Sequence, residues 1–191
     1  MDATNLSATM ATPVAERTIW AIDPAHSLVG FAVKHMMVAT VKGRFSGISG
    51  RLAIDEADLS QSQVEVTIDV ATIDTGDQKR DDHLRSADFF DVTNYPIITF
   101  RSTRIEPAGQ DRWQVFGDLT IRGVTRSVVL DARFHGRGKT PWGSEVVAFT
   151  AATKINRKDF GLTWNVALEA GGVLVGDEVK IEIEVEATKQ A

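Results

Sequence analysis

"VKIEIEVEAT", residues 179–188, carries Val179, Ile181, Ile183 and Val185 on one side of the chain and Lys180, Glu182, Glu184 and Glu186 on the other. A period of two belongs to an extended strand with one dry and one wet face; a helix needs its apolar residues three and four apart. "VEVTIDVAT", 64–72, repeats the pattern, with Val64, Val66, Ile68 and Val70 against Glu65, Thr67 and Asp69. The alternation recurs along the chain and predicts strands near 17–23, 27–36, 40–55 (bent at Gly47 or Gly50), 62–73, 96–106, 112–122, 125–136, 144–156 and 178–188. Turn residues separate them, as in "PAGQD" at 107–111, "GRGKTPWG" at 136–143 and "AGG" at 170–172. Strands this frequent, joined mostly by short turns, predict an all-β chain with antiparallel pairing in a sandwich or barrel, not βαβ units.

Composition limits the functions open to such a chain. Its 191 residues are 43% hydrophobic and 25% charged, ordinary values for one globular domain. The net charge of −5 offers no basic face for nucleic acid. There is no cysteine, which excludes disulfides, thiolate nucleophiles and zinc–thiolate sites. No stretch approaches the roughly 18 apolar residues of a spanning helix, so no stable membrane insertion is expected. Residues 1–17 are small and polar and read as a disordered leader, followed by a domain over 18–188 and a tail at 189–191. The leader has no basic start or apolar run, so the expected location is cytoplasmic, or periplasmic or secreted if a signal has been removed.

One segment breaks the alternation. "DQKRDDHLRS", 77–86, reads as a short helix, with Asp81 and Arg85 as an i,i+4 pair, Arg80, His83 and Leu84 on one face, and Asp74 or Thr75 as its cap. "RKDFG", 157–161, suggests a second small helix or turn. Asp81, Asp82, His83, Ser86 and Asp88 lie close together, but neighbours such as Asp82 and His83 point about 100° apart on a helix and converge poorly on a metal. A solvated helix with internal ion pairs accounts for them more simply. His35 follows Phe31 and Val33 at period two and shares their face, as a structural or a ligand-contacting residue. His26 and His135 sit beside turns without a visible partner.

About eight strands closed into a barrel leave an interior that side chains just fill, or that holds one slender ligand. Small residues stand among large ones: Gly30 and Ala32 around Phe31, Gly117 before Leu119, and Ala148, Ala151 and Ala152 around Phe149. Wherever they face inward they leave room. Phe89, Phe90 and "FGLTW", with Phe160, Leu162 and Trp164, are apolar residues in loops, suited to plugging a barrel end or rimming a pocket. Periodicity alone does not separate a filled bore from an empty one.

Four long motifs settle the family likeness: "WAIDPAHSLVGFAVKHMMVATVKGRF" at 20–45, "RDDHLRSADFFDVTNYPIITF" at 80–100, "VFGDLTIRGVTRSVVL" at 115–130 and "INRKDFGL" at 155–162. In this order they resemble the YceI-like family of lipocalin-like polyisoprenoid-binding barrels, over roughly residues 18–188. The resemblance implies an extended eight-stranded antiparallel β-barrel with one short helical insertion at about 77–90. It also implies an apolar tunnel for a polyisoprenoid or isoprenoid quinone, with a polar head group near one end, and no required cofactor or metal. Many relatives look exported, whereas no signal is visible here.

On this likeness the expected lining is Phe31, Val33, Ile54, Val66, Ile68, Ile98, Phe100, Leu119, Phe134, Phe149 and Ile183. His35, Arg80, His83, Phe89, Phe90, Arg157 and Phe160 are expected around the mouth, with Arg80 and His83 near the head group. The expected role is carriage, storage or sequestration of a long-chain isoprenoid lipid, without catalysis. Each buried CH₂ contributes about 0.8 kcal/mol, so a long tail supplies ample driving force. The alternative is an enzyme acting on an apolar substrate, with His35 or His83 and Asp81 as acid–base groups. A homodimer is allowed, because the edges of an imperfectly closed barrel can pair.

Overall fold

In the computed structural model residues 17–169 and 171–191 are described; apart from Arg17, the expected leader lies outside them. The strands are β1 (Thr18–Ile22), β2 (Leu28–His35), β3 (Ala39–Phe45), β4 (Ile48–Ile54), β5 (Gln63–Asp69), β6 (Ile73–Asp74), β7 (Ile97–Gly109), β8 (Arg112–Ile121), β9 (Val124–Lys139), β10 (Glu145–Asn156) and β11 (Val175–Lys189). Helix α1 (Gln78–Arg85) lies between β6 and β7. All the pairings between these strands are antiparallel. The order β1-β4-β5-β7-β8-β9-β10-β11 closes on itself through the β1–β11 pairing, giving an eight-stranded barrel.

Long strands with strict alternation build most of the wall. β11 bonds to β10 along one edge; its other edge takes β2 opposite Val175–Glu184 and β1 opposite Ala187–Lys189. β1 and β2 thus act as one strand interrupted at 23–27, and β3 and β4 as another. The single bent strand expected over 40–55 is this second pair, broken at Ser46 and Gly47. The Gly47 N–H donates to Thr72 Oγ1 (3.0 Å), and a Cβ there would stand 2.7 Å from Thr72 Cγ2, so no larger residue fits the corner.

α1 covers one end of the barrel. Its cap is Asp77, whose side chain accepts from the Arg80 N–H (3.2 Å), and not Asp74 or Thr75 as the sequence suggests. The expected Asp81–Arg85 pair does not form either. Asp81 is buried and accepts from the N–H and hydroxyl of Thr75, while Arg85 pairs with Asp82 (3.1 Å) and donates to the Ala71 and Ile73 carbonyls. Helical spacing makes both carboxylates available to Arg85; packing of α1 beside β6 turns Asp81 inward and leaves Asp82 outside. The helix stops at Arg85, short of 90, because the Ser86 N–H and hydroxyl both turn back to the His83 carbonyl.

Apolar residues form two clusters. The larger runs along the barrel and includes Phe45, Ile48, Ile73, Phe89, Phe100, Leu119 and Phe160; the smaller, Trp20, Leu52, Ile54, Val147 and Ala187, lies where β1 meets β11. The outer face is charged. Lys180, Glu182 and Glu184 of β11 and Arg126, Asp131 and Arg133 of β9 are exposed, unlike the apolar outer band of a membrane-spanning barrel.

Candidate functional site

The inward residues of the alternating strands surround a cavity of about 300 Å³. Val64, Val66 and Ile68 come from β5; Trp113, Val115, Leu119 and Ile121 from β8; Val128, Leu130 and Ala132 from β9; Phe149, Ala151, Thr153 and Ile155 from β10; and Val179, Ile181, Ile183 and Val185 from β11. The wall is almost entirely hydrocarbon. Inward residues of β9–β11 such as Leu130, Ile155 and Ile181 are only half-buried, as expected for side chains facing a hollow.

Close approach of rings to glycines keeps the bore open. A Cβ on Gly43 would come within 2.3 Å of Phe31 Cζ, and one on Gly117 within 2.4 Å of Phe100 Cζ. The two phenyl rings therefore lie flat over bare backbone instead of crossing the interior. Of the small residues picked out in the sequence, Gly117 and Ala151 are on the inner face. Gly30, Ala32, Ala148 and Ala152 alternate with inward residues and face out, so they leave no room inside.

At the α1 end the cavity is sealed. Turns after the helix, with the Phe90 N–H bonded to the Leu84 carbonyl (3.0 Å), set Phe89 and Phe90 on the wall. Phe89, Phe160 and Leu162 are buried there, and the rings of His83, Phe89 and Trp164 pack mutually at centroid distances of 4.7–5.2 Å. Arg122, in the β8–β9 turn, ties the two capping segments together: Nη1 donates to the Gly161 carbonyl (2.9 Å) and Nη2 to the Ala87 carbonyl (2.8 Å). Arg157 is buried and holds the returning chain, donating to the carbonyls of Leu162, Trp164, Val175 and Gly176 at 2.6–3.3 Å. Burial pushes its guanidinium pKa down; Asp177 nearby opposes that.

The opposite end is where the wall reaches solvent. Leu59, 39% exposed, and Gln63 are the exposed residues of the lining. Leu59 begins, and Gln63 closely follows, the one-turn 3₁₀ segment Leu59–Gln61, whose approach buried Asp55 organises by accepting from the Ala57 and Asp58 N–H groups (3.0 Å each). Asp58 caps that turn, and its bonds from the Ser60 hydroxyl and N–H hold its carboxyl below the ordinary range.

Most residues expected at the site line this cavity. Phe31, Val33, Ile54, Val66, Ile68, Ile98, Phe100, Leu119, Phe149 and Ile183 of the expected lining do and Phe134 does not. Of the residues expected around the mouth, Phe89, Phe90, Arg157 and Phe160 border the cavity at the covered α1 end, away from the exposed Leu59 and Gln63. His35, Arg80 and His83 do not border it. His35 continues the alternation of Phe31 and Val33 but lies at the last rung of β2, opposite Val175. Arg80 folds back on Thr75, donating to its hydroxyl (2.7 Å) and carbonyl (3.0 Å). His83 Nε2 lies 2.9 Å from Asp88 Oδ2, so neither histidine meets Asp81 as the acid–base alternative requires. Phe134 packs on Phe149 (5.2 Å) against the smaller cluster, next to the bulge that leaves His135 of β9 without a partner between Ala148 and Phe149 of β10. The expected set left out much of the wall, including Val64, Val115, Leu130, Ile155 and Ile181, which alternation places on inner faces. It also left out Leu59 and Gln63 at the opening and Gly43 beneath Phe31; the "DLSQ" cap signature at 58–61 was the available sign of Leu59.

Two histidines without a visible partner in the sequence have one. His135 Nε2 lies 2.8 Å from Thr150 Oγ1. His26 Nδ1 lies 2.8 Å from Asp23 Oδ2 and 3.8 Å from Glu186 Oε1, on the outside of the barrel in the break between β1 and β2. The hydrogen bond to Asp23 raises the His26 pKa and lowers that of Asp23.

A closed antiparallel barrel around an apolar hollow, with one helix over an end, defines a protein of the lipocalin-like class. The YceI-like domain model matches residues 20–187, and the chain belongs to that family. It is 37% identical to a UPF0312 protein of Vibrio parahaemolyticus over 163 residues, 84% of this chain and 86% of the relative. Among solved structures it is similar to BcnA of Burkholderia cenocepacia, with a TM-score of 0.75 and 31% identity over 87% of this chain and 99% of that one. A polyisoprenoid binding domain from Saccharophagus degradans shares the fold, with a TM-score of 0.63 and 16% identity over 90% of this chain and 98% of that one.

Proposed function

We propose that the chain binds the hydrocarbon tail of an isoprenoid lipid inside the barrel and serves as a carrier or sequestering protein, without catalysis. The observation that carries this reading is the cavity of about 300 Å³ with its hydrocarbon wall. Such a space offers a polar head group nothing to bond to but favours an apolar chain by about 0.8 kcal/mol per CH₂ buried. The head group of an isoprenoid alcohol, phosphate or quinone would therefore stay at the Leu59–Gln63 opening. The structural neighbour from Saccharophagus degradans, a polyisoprenoid binding domain, supports the choice of cargo class.

Catalysis would need an acid, base or nucleophile aimed at the cargo. Arg157 is the one ionisable side chain on the cavity wall among the described residues, and its donors are committed to backbone carbonyls. Solvent extraction of the purified protein followed by mass spectrometry tests the reading, together with uptake of farnesol and of a short-tailed quinone by delipidated protein. The expected result is a co-purifying prenyl lipid or saturable uptake of at least one probe. Neither outcome appearing sinks the carrier.

A further inference from the structure

The β9–β10 hairpin runs past the rest of the open end. Arg137 pairs with Val147, which is buried beside Trp20, and two residues further on Lys139 pairs with Glu145. The tip at 140–144 therefore stands roughly 7 Å beyond that buried layer, at about 3.4 Å per residue. Trp142 on this tip is 89% exposed, more than any other large apolar side chain described. The stretch around it, "ARFHGRGKTPWGS" at 132–144, holds Arg133, Arg137 and Lys139 and no acid, in a chain of net charge −5. Arg112 of β8 stands directly opposite Arg133 in the ladder, a like-charge pair that an external anion would relieve. Arg137 is bound to Glu56 (3.1 Å), three residues before Leu59, which places the hairpin base next to the segment that forms the cavity opening.

A second exposed apolar tip, Met36, Met37 and Val38 between β2 and β3, lies at the other end, where α1 and the aromatic cluster seal the barrel. The two ends thus differ: one joins an exposed indole, the like-charge pair Arg112 and Arg133 with no ion pair among the described residues, and the opening, and the other is covered by α1 and its aromatic cluster. Indoles settle at the depth of lipid headgroups, and Arg and Lys side chains there are drawn to anionic lipids.

We propose that the open end docks on an anionic lipid bilayer through the β9–β10 hairpin, with Trp142 at headgroup depth and the Leu59–Gln63 opening turned toward the membrane. Its purpose rests on the cargo reading, since a prenyl tail must leave a bilayer to enter the barrel. The binding itself can be measured without cargo.

The test is co-sedimentation of the full chain with phosphatidylcholine vesicles containing a third phosphatidylglycerol, beside vesicles of phosphatidylcholine alone. Sedimentation is expected with the anionic vesicles only, and it is expected to fall away in about 0.5 M salt, where surface charges are screened. Trp142→Ala and Lys139→Glu are each expected to weaken it roughly fivefold. Val38→Ser, at the sealed end, should sediment like the parent chain. Farnesol uptake in solution checks that each variant is folded and keeps its cavity. The proposal is overturned if the chain stays in the supernatant at low salt, if Trp142→Ala sediments unchanged, or if Val38→Ser loses as much as Trp142→Ala. Uptake of farnesol without vesicle binding removes the docking and leaves the cargo reading standing; vesicle binding without uptake of any prenyl probe does the reverse.

Discussion

Arg157 is a cation that water barely reaches, at 4% exposure, and its worth lies in how many carbonyls it satisfies. A guanidinium presents five N–H donors in a fixed fork; here they meet four backbone carbonyls on both sides of the 162–176 segment. Removing the donor leaves several of those acceptors buried and unpaired, at about 1–3 kcal/mol each. Arg157→Met is therefore expected to lower the unfolding free energy by about 3 kcal/mol or more, read from urea denaturation. Arg157→Lys, with three donors and no fork, should restore only part of it. A head-group contact would behave otherwise. If Arg157→Met kept full stability and lost only lipid uptake, the residue would be a ligand contact and the clamp would be wrong.

At the level of the strand, the working unit is an alternating segment with a gap in it. Ala151 sits on the inner face of β10 opposite Ala132 of β9, so two adjacent strands leave one thin patch of wall, bordered by Ile183 of β11. Ala151→Phe would put a ring into that space. Farnesol uptake is then expected to fall roughly tenfold or more while the melting temperature holds or rises, because the ring fills a void instead of displacing packed atoms. Ala152→Phe, one residue on and facing solvent, should leave uptake unchanged; equal loss in both variants would mean that the cavity is not the binding site. The same alternation is why the strands were readable beforehand and why Val66, Ile68 and Ile183 share a face with their neighbours, while the family likeness pointed that face at a tunnel. It could not say which neighbouring strand supplies the small partner beneath a ring, and so missed Gly43 under Phe31. Nor could helical spacing say that burial would take Asp81 from Arg85. A loop residue such as Leu59 belongs to no period at all.

The whole barrel depends on one seam, because β11 must bond to β10 on one side and to both β2 and β1 on the other. Where β1 gives way to β2, the chain is held to β11 by Ser27, whose hydroxyl donates to the Glu186 carbonyl and accepts from its N–H, and by the Asp23 N–H on the same carbonyl. His26 adds a titratable fastening between Asp23 and Glu186. Its pKa is raised in the folded chain, first by the bond to Asp23, so its stabilisation is complete below the ordinary histidine value of about 6.5 and is lost as pH climbs through the raised value. Asp23 is shifted down, first by the bond to His26, so its contribution is complete above the ordinary aspartate value of about 3.9 and is lost as pH falls through the lowered one. The two windows overlap from about pH 4 to 6.5, where the pair is fully charged and tightest. The effect is small, because His26 is mostly exposed and such pairs are screened by salt. Asp58, Glu65 and Asp74 are also shifted down, so acid weakens the fold for reasons unrelated to the seam, and a difference measurement is required. The stability gap between the parent chain and Asp23→Asn is expected to be largest between about pH 4 and 6.5 and to narrow on either side. In the same variant the His26 imidazole, followed by NMR, should titrate closer to 6.5 than in the parent, with Glu186 alone left to raise it. A gap that stays flat across pH, or a His26 titration indifferent to the loss of Asp23, would take this pair out of the seam and leave Ser27 and the backbone ladder to hold it.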